Sequence, residues 1–186
     1  MRVVGGEFRG RALAAPKSQE IRPTSDRLRQ TLFDILAHGH DDRLKGGRVL
    51  DLFAGTGALG IEALSRGASY ALFIEEGVEA RGLIRTNIES LGLTGRSRVF
   101  RRDATQLGKA GTVAPFDLAF ADPPYGKGLG EAAFASALAG SWLKAGALCI
   151  LEESAKASLQ PIQWLEEIDR RVVGDSQLLF YRLASG

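Results

Sequence analysis

The chain has 186 residues, 45% hydrophobic and 25% charged, with a net charge of +2. That is long enough for one domain with a full core, and the composition is that of an ordinary globular protein of the cytoplasm. No apolar run approaches the ~20 residues that span a membrane, the opening "MRVVGGEFRGRAL" lacks the apolar core of a signal peptide, and one cysteine with no His/Cys cluster speaks against an internal disulfide or a zinc site.

The charge is uneven. Residues 1 to 29 carry seven cations against three acids, a balance of +4, which leaves −2 on the remainder. Such asymmetry hints at nucleic acid. In chain order, "RVVGGEFRGRALAAP" alternates around glycines and predicts a short hairpin or paired extended arms. "RPTSDRLRQTLFDILAHG" predicts a helix that starts at Pro23 with Thr24 or Ser25 and ends at Gly39, with Leu28, Leu32, Phe33, Ile35 and Leu36 as its apolar stripe. His38 and His40 are expected at its end, facing solvent.

From Arg48 the pattern alternates. "RVLDLF" is a strand and "ALGIEALSRG" a helix closed by Gly67. "YALFIEE" is a strand and "VEARGLIRTNIESLG" a helix. "SRVFRRD" and "FDLAFAD" are strands, "GEAAFASALAGSWL" a helix, and "GALCILEE" a strand that buries Cys149. "EEIDRRVVGDSQLLFYRL" reads as an antiparallel hairpin around Gly-Asp. The whole predicts an α/β fold, a mostly parallel sheet with helices on both faces.

Ligands on such sheets bind beyond the carboxyl ends of the strands, at the switch point. The residues there are Asp51, Phe53, Ala54, Gly55, Thr56 and Gly57, then Glu75 and Glu76, then Asp103, then Asp122, Pro123, Pro124 and Tyr125. Four consecutive strands therefore end in acids. Gly55, Gly57 and Gly60 form a G-x-G-x-x-G loop, and Glu75 lies 20 residues beyond Gly55, placed to hold ribose hydroxyls. A nicotinamide enzyme satisfies this rule, as does any adenosine cofactor with a ribose.

Two features favour S-adenosylmethionine. A carboxylate at Asp51 repels a pyrophosphate and attracts an ammonium or sulfonium. Hydride transfer also gives Asp122-Pro123-Pro124-Tyr125 no task, whereas methyl transfer to an exocyclic amine does. The amine's lone pair is delocalised into its ring. A carboxylate and a proline carbonyl, each accepting one N–H, turn that lone pair towards the methyl group. Tyr125 can stack on the base.

"GGEFRGRAL", "RPTSDRLRQTLFDIL", "DLFAGTGALGIEALSRGA" and "DPPYGKG" together resemble the RsmD-type ribosomal RNA guanine-N2 methyltransferases, from Val4 to about Arg182. The resemblance implies a Rossmann-like class I methyltransferase with seven strands, the last antiparallel, and residues 1–40 as an RNA-binding hairpin and helix on a 41–186 catalytic domain. It implies S-adenosylmethionine as donor and a guanine of 16S rRNA, in the small subunit or its assembly intermediate, as acceptor; the chain is expected to be a monomer without metal. By position, Asp51, Phe53, Gly55 and Gly57 line the cofactor's methionine side, Thr24 and Ser25 close over it, Glu75 takes the ribose, and Asp103 with Ala104 meets the adenine. Asp122 to Tyr125 hold the base, and Arg9, Arg11, Arg22 and Arg27 meet phosphates. A DNA adenine-N6 methyltransferase, a protein-glutamine methyltransferase, a nicotinamide oxidoreductase and a non-catalytic RNA-binding module stay open as alternatives. The "GRSRVFRR" stretch reads equally as a second RNA contact or a solvated strand.

Overall fold

The computed structural model describes residues 1–18 and 24–184. Seven strands form one sheet: β1 (Arg48–Leu52), β2 (Tyr70–Ile74), β3 (Ser97–Phe100), β4 (Phe116–Ala121), β5 (Leu143–Ser154), β6 (Leu165–Val173) and β7 (Ser176–Leu183). Their order across the sheet is β3-β2-β1-β4-β5-β7-β6. Neighbours from β3 to β5 pair in parallel, and β7 runs antiparallel to both β5 and β6. This is the expected class I methyltransferase architecture. The order reverses at β1, which lies between β2 and β4.

Strands that alternate between two apolar faces need cover on both. On one face Val49, Phe73, Phe120 and Ile150 share a core with Leu32, Phe33 and Leu36 of α1 (Asp26–Gly39), Ile61 and Leu64 of α2 (Ala58–Ser65) and Ile84 and Ile88 of α3 (Val78–Ser90). On the other, Leu50, Leu52, Ile74 and Ala119 pack with Ala133, Phe134 and Ala137 of α4 (Leu129–Ala139) and with Trp142. Cys149 is buried in β5, and burial pushes its thiol up to about 12.

The amino-terminal segment makes one antiparallel bridge, Arg2 to Ala12, and otherwise follows the helices. The backbone N–H groups of Val4 and Gly5 donate to the Glu62 carboxylate, each at 2.9 Å. Fully buried Arg29 of α1 reaches Glu62 at 3.3 Å and the Arg2 carbonyl at 2.9 Å, and pairs with Asp26. A buried carboxylate is tolerable only when saturated in this way.

Three expectations change. The fourth helix stops at Ala139 instead of running to Leu143, because Trp142 turns into the core and donates its Nε1–H to the Gly108 carbonyl at 2.8 Å. The fifth strand accordingly begins at Leu143, ahead of Gly146. His38 is exposed, but His40 is buried: its ring stacks on Phe180 at 4.8 Å and its Nε2 lies 3.7 Å from Asp169. The helix pattern alone could not show that β6 and β7 cover it.

Burial lowers the His40 pKa, against the opposing pull of Asp169 and in the same sense as Arg182 and Arg171. A depressed imidazole pKa favours the neutral form in the folded state. Stability from this site is therefore full above the unfolded value of about 6.5 and lost as pH falls through the folded one. Wild type should lose more thermal stability than His40→Gln between pH 7.5 and pH 5.5 (values about one unit either side of that pKa). Equal losses in the two proteins would clear His40 of any part in acid sensitivity.

Candidate active site

β1 and β4 are neighbours, with Leu52 opposite Ala121. The next residues, Phe53 and Asp122, therefore leave the sheet side by side. Above them opens a cavity of about 450 Å³ lined by Thr24, Phe53, Ala54, Gly55, Thr56, Ala58, Leu59, Glu75 and residues 122 to 125. That volume is in the range of sites for cofactor-sized molecules.

The glycine loop forms one wall. Phe53, at φ +55°, is a left-handed aromatic residue, a conformation that costs energy and collects at functional sites. The turn is held by Ala54 N–H to the Ile74 carbonyl at 3.0 Å and Gly57 N–H to the Ala54 carbonyl at 2.8 Å. Gly57, at φ +82°, starts α2 in a conformation that glycine adopts without strain. A Cβ on Gly60 would sit 2.4 Å from the Phe73 ring and 3.1 Å from the Asp51 carboxylate, so this glycine seats α2 on the sheet.

Glu75 closes the loop from β2. One carboxylate oxygen accepts from Gly55 N–H and the other from Gly77 N–H, both at 2.8 Å. Asp51 lies beneath the loop and outside the cavity wall, 1% exposed. Its Oδ2 accepts from Gly60 N–H at 3.0 Å in the first turn of α2, while Oδ1 has no partner among the described residues. Burial, with Glu75 nearby, pushes its pKa well above the carboxylate range.

The opposite wall is residues 122 to 125. The Thr24 hydroxyl donates to Asp122 at 2.5 Å, which ties the segment ahead of α1 to the end of β4. The Tyr125 hydroxyl donates to Glu152 at 2.5 Å and lies 2.8 Å from the Ser176 hydroxyl. Gly126 N–H donates to Glu153 at 3.0 Å. Sequence reasoning missed Glu152, Glu153 and Ser176, and also Ala58 and Leu59. The signal for the first two was present, since "ILEES" ends a fifth strand in acids as well.

Ten of the expected site residues thus share one cavity: Thr24, Phe53, Ala54, Gly55, Thr56, Glu75, Asp122, Pro123, Pro124 and Tyr125. The others do not line it. Ser25 caps α1, accepting from Leu28 N–H at 3.1 Å. Glu76 is exposed. Asp103 caps a single 3-10 turn through Thr105, and Ala104 is buried under it.

The expected phosphate contacts divide. Arg27 is exposed in the first turn of α1, three residues from Thr24. Arg11 donates to the Ser90 carbonyl at the far end of α3, about 20 Å from that helix's start at 1.5 Å per residue. Arg9 is exposed on the same turn of the arm, and Arg22 lies outside the described residues. In the Arg-rich stretch, Arg96 donates to the carbonyls of Leu64 and Ala68. Arg102 stacks on Phe100 and Trp142 and reaches the Leu107 carbonyl at 3.1 Å, so these two arginines fasten the edge of the sheet.

A family model described as "Conserved hypothetical protein 95" matches residues 1–182. The chain belongs to this family. Members of known name agree with the RsmD-type resemblance read from the motifs. The chain is 36% identical over its whole length to ribosomal RNA small subunit methyltransferase D of Escherichia coli strain K12, spanning 92% of that protein. It is 33% identical to the protein of the same name in Haemophilus influenzae, over 88% of this chain and 84% of that one. The solved structure of the Escherichia coli protein yhhF superposes with a TM-score of 0.84 at 32% identity, covering 100% of this chain and 99% of that one.

Gly60→Ala should destabilise the family's glycine loop by about 1–3 kcal/mol, the usual cost of overpacking a filled core. Thermal unfolding measures it, and an unchanged midpoint would show that the Phe73 ring moves aside freely.

Proposed function

We propose that this chain is an S-adenosylmethionine-dependent methyltransferase that modifies an exocyclic amine of small-subunit ribosomal RNA. Following the RsmD-type resemblance, the amine is N2 of a guanine in 16S rRNA, presented by the small subunit or its assembly intermediate in the cytoplasm. One observation carries the reading: the Asp-Pro-Pro-Tyr segment and the left-handed glycine loop face each other across one cavity. A nicotinamide enzyme accounts for the loop and leaves the second wall without a role.

The residues present fit the cofactor. The glycine loop allows close approach of a ligand to the backbone, and Glu75 offers a fixed carboxylate at the cavity wall for ribose hydroxyls. Asp51 adds, beneath the same loop, a buried oxygen without a partner among the described residues. When bound, S-adenosylmethionine supplies a methyl group on a positively charged sulfur.

Asp122 and the Pro123 carbonyl each accept one N–H of the target amine, which draws its lone pair out of the ring and aims it across the cavity. Thr24 steadies the Asp122 carboxylate, whose role is to accept from the amine and to take up the proton released on transfer. Pro123 and Pro124 have no N–H to satisfy, so the segment is stiff without hydrogen bonds of its own. Tyr125 stacks on the base, worth about 1–3 kcal/mol. That offsets much of the few kcal/mol needed to unstack it.

Residues 1–40 serve as the RNA-binding extension. Arg27, three residues beyond Thr24, would meet a phosphate beside the target nucleotide, and the resemblance gives Arg22 the same task. Arg9 and Arg11 would meet phosphates roughly a helix length away, a separation suited to a folded ribosomal substrate recognised by shape.

Two variants test the reading. Asp122→Ala should abolish methyl transfer to small subunits from cells lacking the protein while still binding S-adenosylmethionine. Undiminished turnover would remove amine activation from this carboxylate. Glu75→Ala should weaken cofactor binding by about 1–3 kcal/mol, the penalty for polar groups left without a partner. Calorimetric titration reads this directly, and an unchanged affinity would make Glu75 a purely structural brace for the loop.

A further inference from the structure

Resting on that methyltransferase reading, we infer that Glu152 is a positioning residue for the base platform: with Ser176 it holds the Tyr125 hydroxyl and so sets the angle at which the ring meets the target base. Nothing in the sequence motif assigns a task to either residue.

Two prolines stiffen the backbone ahead of Tyr125, but not the side beyond it. Tyr125 is followed by Gly126 at φ +76° and Gly128 at φ +67°, so the chain beyond it turns through glycines. A hold on the far end of the side chain fixes the ring's angle where the backbone on one side is glycine-rich. Here the far end is held by the sheet. Glu152 is 4% exposed, on β5 opposite Leu178 of β7. Ser176 begins β7, opposite Ser154 of β5. Glu152 sits on backbone paired with β7, and Ser176 on backbone paired with both β5 and β6, unlike the loop.

The contacts have a consistent direction. The 2.5 Å bond from the Tyr125 hydroxyl to Glu152 has the length of a charge-assisted O–H···O⁻ bond. Ser176 lies 2.8 Å from the same hydroxyl. Next along, Glu153, 1% exposed, accepts from Gly126 N–H at 3.0 Å and from Ser154 N–H at 2.7 Å. Tyr125 lines the cavity, while its hydroxyl is bonded to Glu152 and Ser176, which do not line it. Were the ring needed only as apolar cover, phenylalanine would fill the same space without a near-buried carboxylate beneath it, an arrangement that costs free energy unless hydrogen-bonded.

The test is a double-mutant cycle on Tyr125→Phe and Glu152→Ala, with Glu152→Gln as the conservative variant. Methyl transfer from labelled S-adenosylmethionine is followed on small subunits purified from cells lacking the protein. Cofactor affinity is measured separately by calorimetry. Each single variant should lower kcat/KM for subunits about tenfold, the order expected for one charged hydrogen bond. Cofactor affinity should stay unchanged, and the double variant should be no worse than either single one. Glu152→Gln keeps an acceptor oxygen and should recover most of the loss. Should Glu152→Ala fail to fold, Ser176→Ala replaces it in the cycle. Wild-type turnover in Tyr125→Phe, additive losses, or losses matched by weaker cofactor binding would each overturn the inference and leave the methyltransferase reading standing. A wild-type protein that transfers no methyl group to subunits would overturn both.

Discussion

Parallel pairing of β1 with β4 is the constraint on which the site depends. Leu52 and Ala121 are opposite each other, so the glycine loop and Asp122 emerge at one height on one edge. They are 65 to 69 residues apart in sequence, and only the crossover topology makes them neighbours. At a switch point the helices that follow the two strands diverge to opposite faces, which opens a crevice between the loops. Here α2 covers one face and α4 the other. The cavity is a consequence of sheet order before any catalytic side chain is considered.

Acids around the carboxyl ends of the strands are held by backbone N–H groups, and of these Glu75 lines the crevice. Glu75 bridges Gly55 and Gly77, Asp51 takes Gly60, Asp103 takes Thr105, and Glu153 takes Gly126 and Ser154. The pattern serves two purposes. It satisfies loop donors that have no partner in a helix or strand. It also fixes the Glu75 carboxylate at the cavity wall, where a cationic methyl donor would bind. The strained φ of Phe53 belongs to the same design, since a loop so restrained stays open towards the cavity instead of relaxing into it.

The amino-terminal arm is built into this machinery. Glu62 of α2 gathers Val4, Gly5, Arg29 and Arg66. Asn87 of α3 accepts from Ala14 N–H at 2.7 Å and donates to the Thr56 carbonyl in the glycine loop at 3.1 Å. The arm that carries Arg9 and Arg11 is therefore hydrogen-bonded, through one side chain, to the loop that shapes the cavity. A single hydrophobic cluster contains Val3, Leu13, α1 and the sheet, so arm and core fold together.

The sequence by itself determined the periodic elements, the glycine loop and the acids at strand ends, because each is a local signal: apolar alternation, a residue without a Cβ, a charge after an apolar run. It also carried the family resemblance. Tertiary structure alone decided the rest. It put Asp51 under the loop instead of in the cavity, because α2 folds back over β1 and its first turn needs a carboxylate acceptor there. It buried His40 against Phe180, ended α4 early to seat Trp142, and sent Arg11 to the far end of α3. It brought Glu152 and Ser176 to Tyr125, since β5 and β7 are neighbours only in the finished sheet. Each of these turns on which strand lies beside which, and strand order is set by long-range packing that no local pattern encodes.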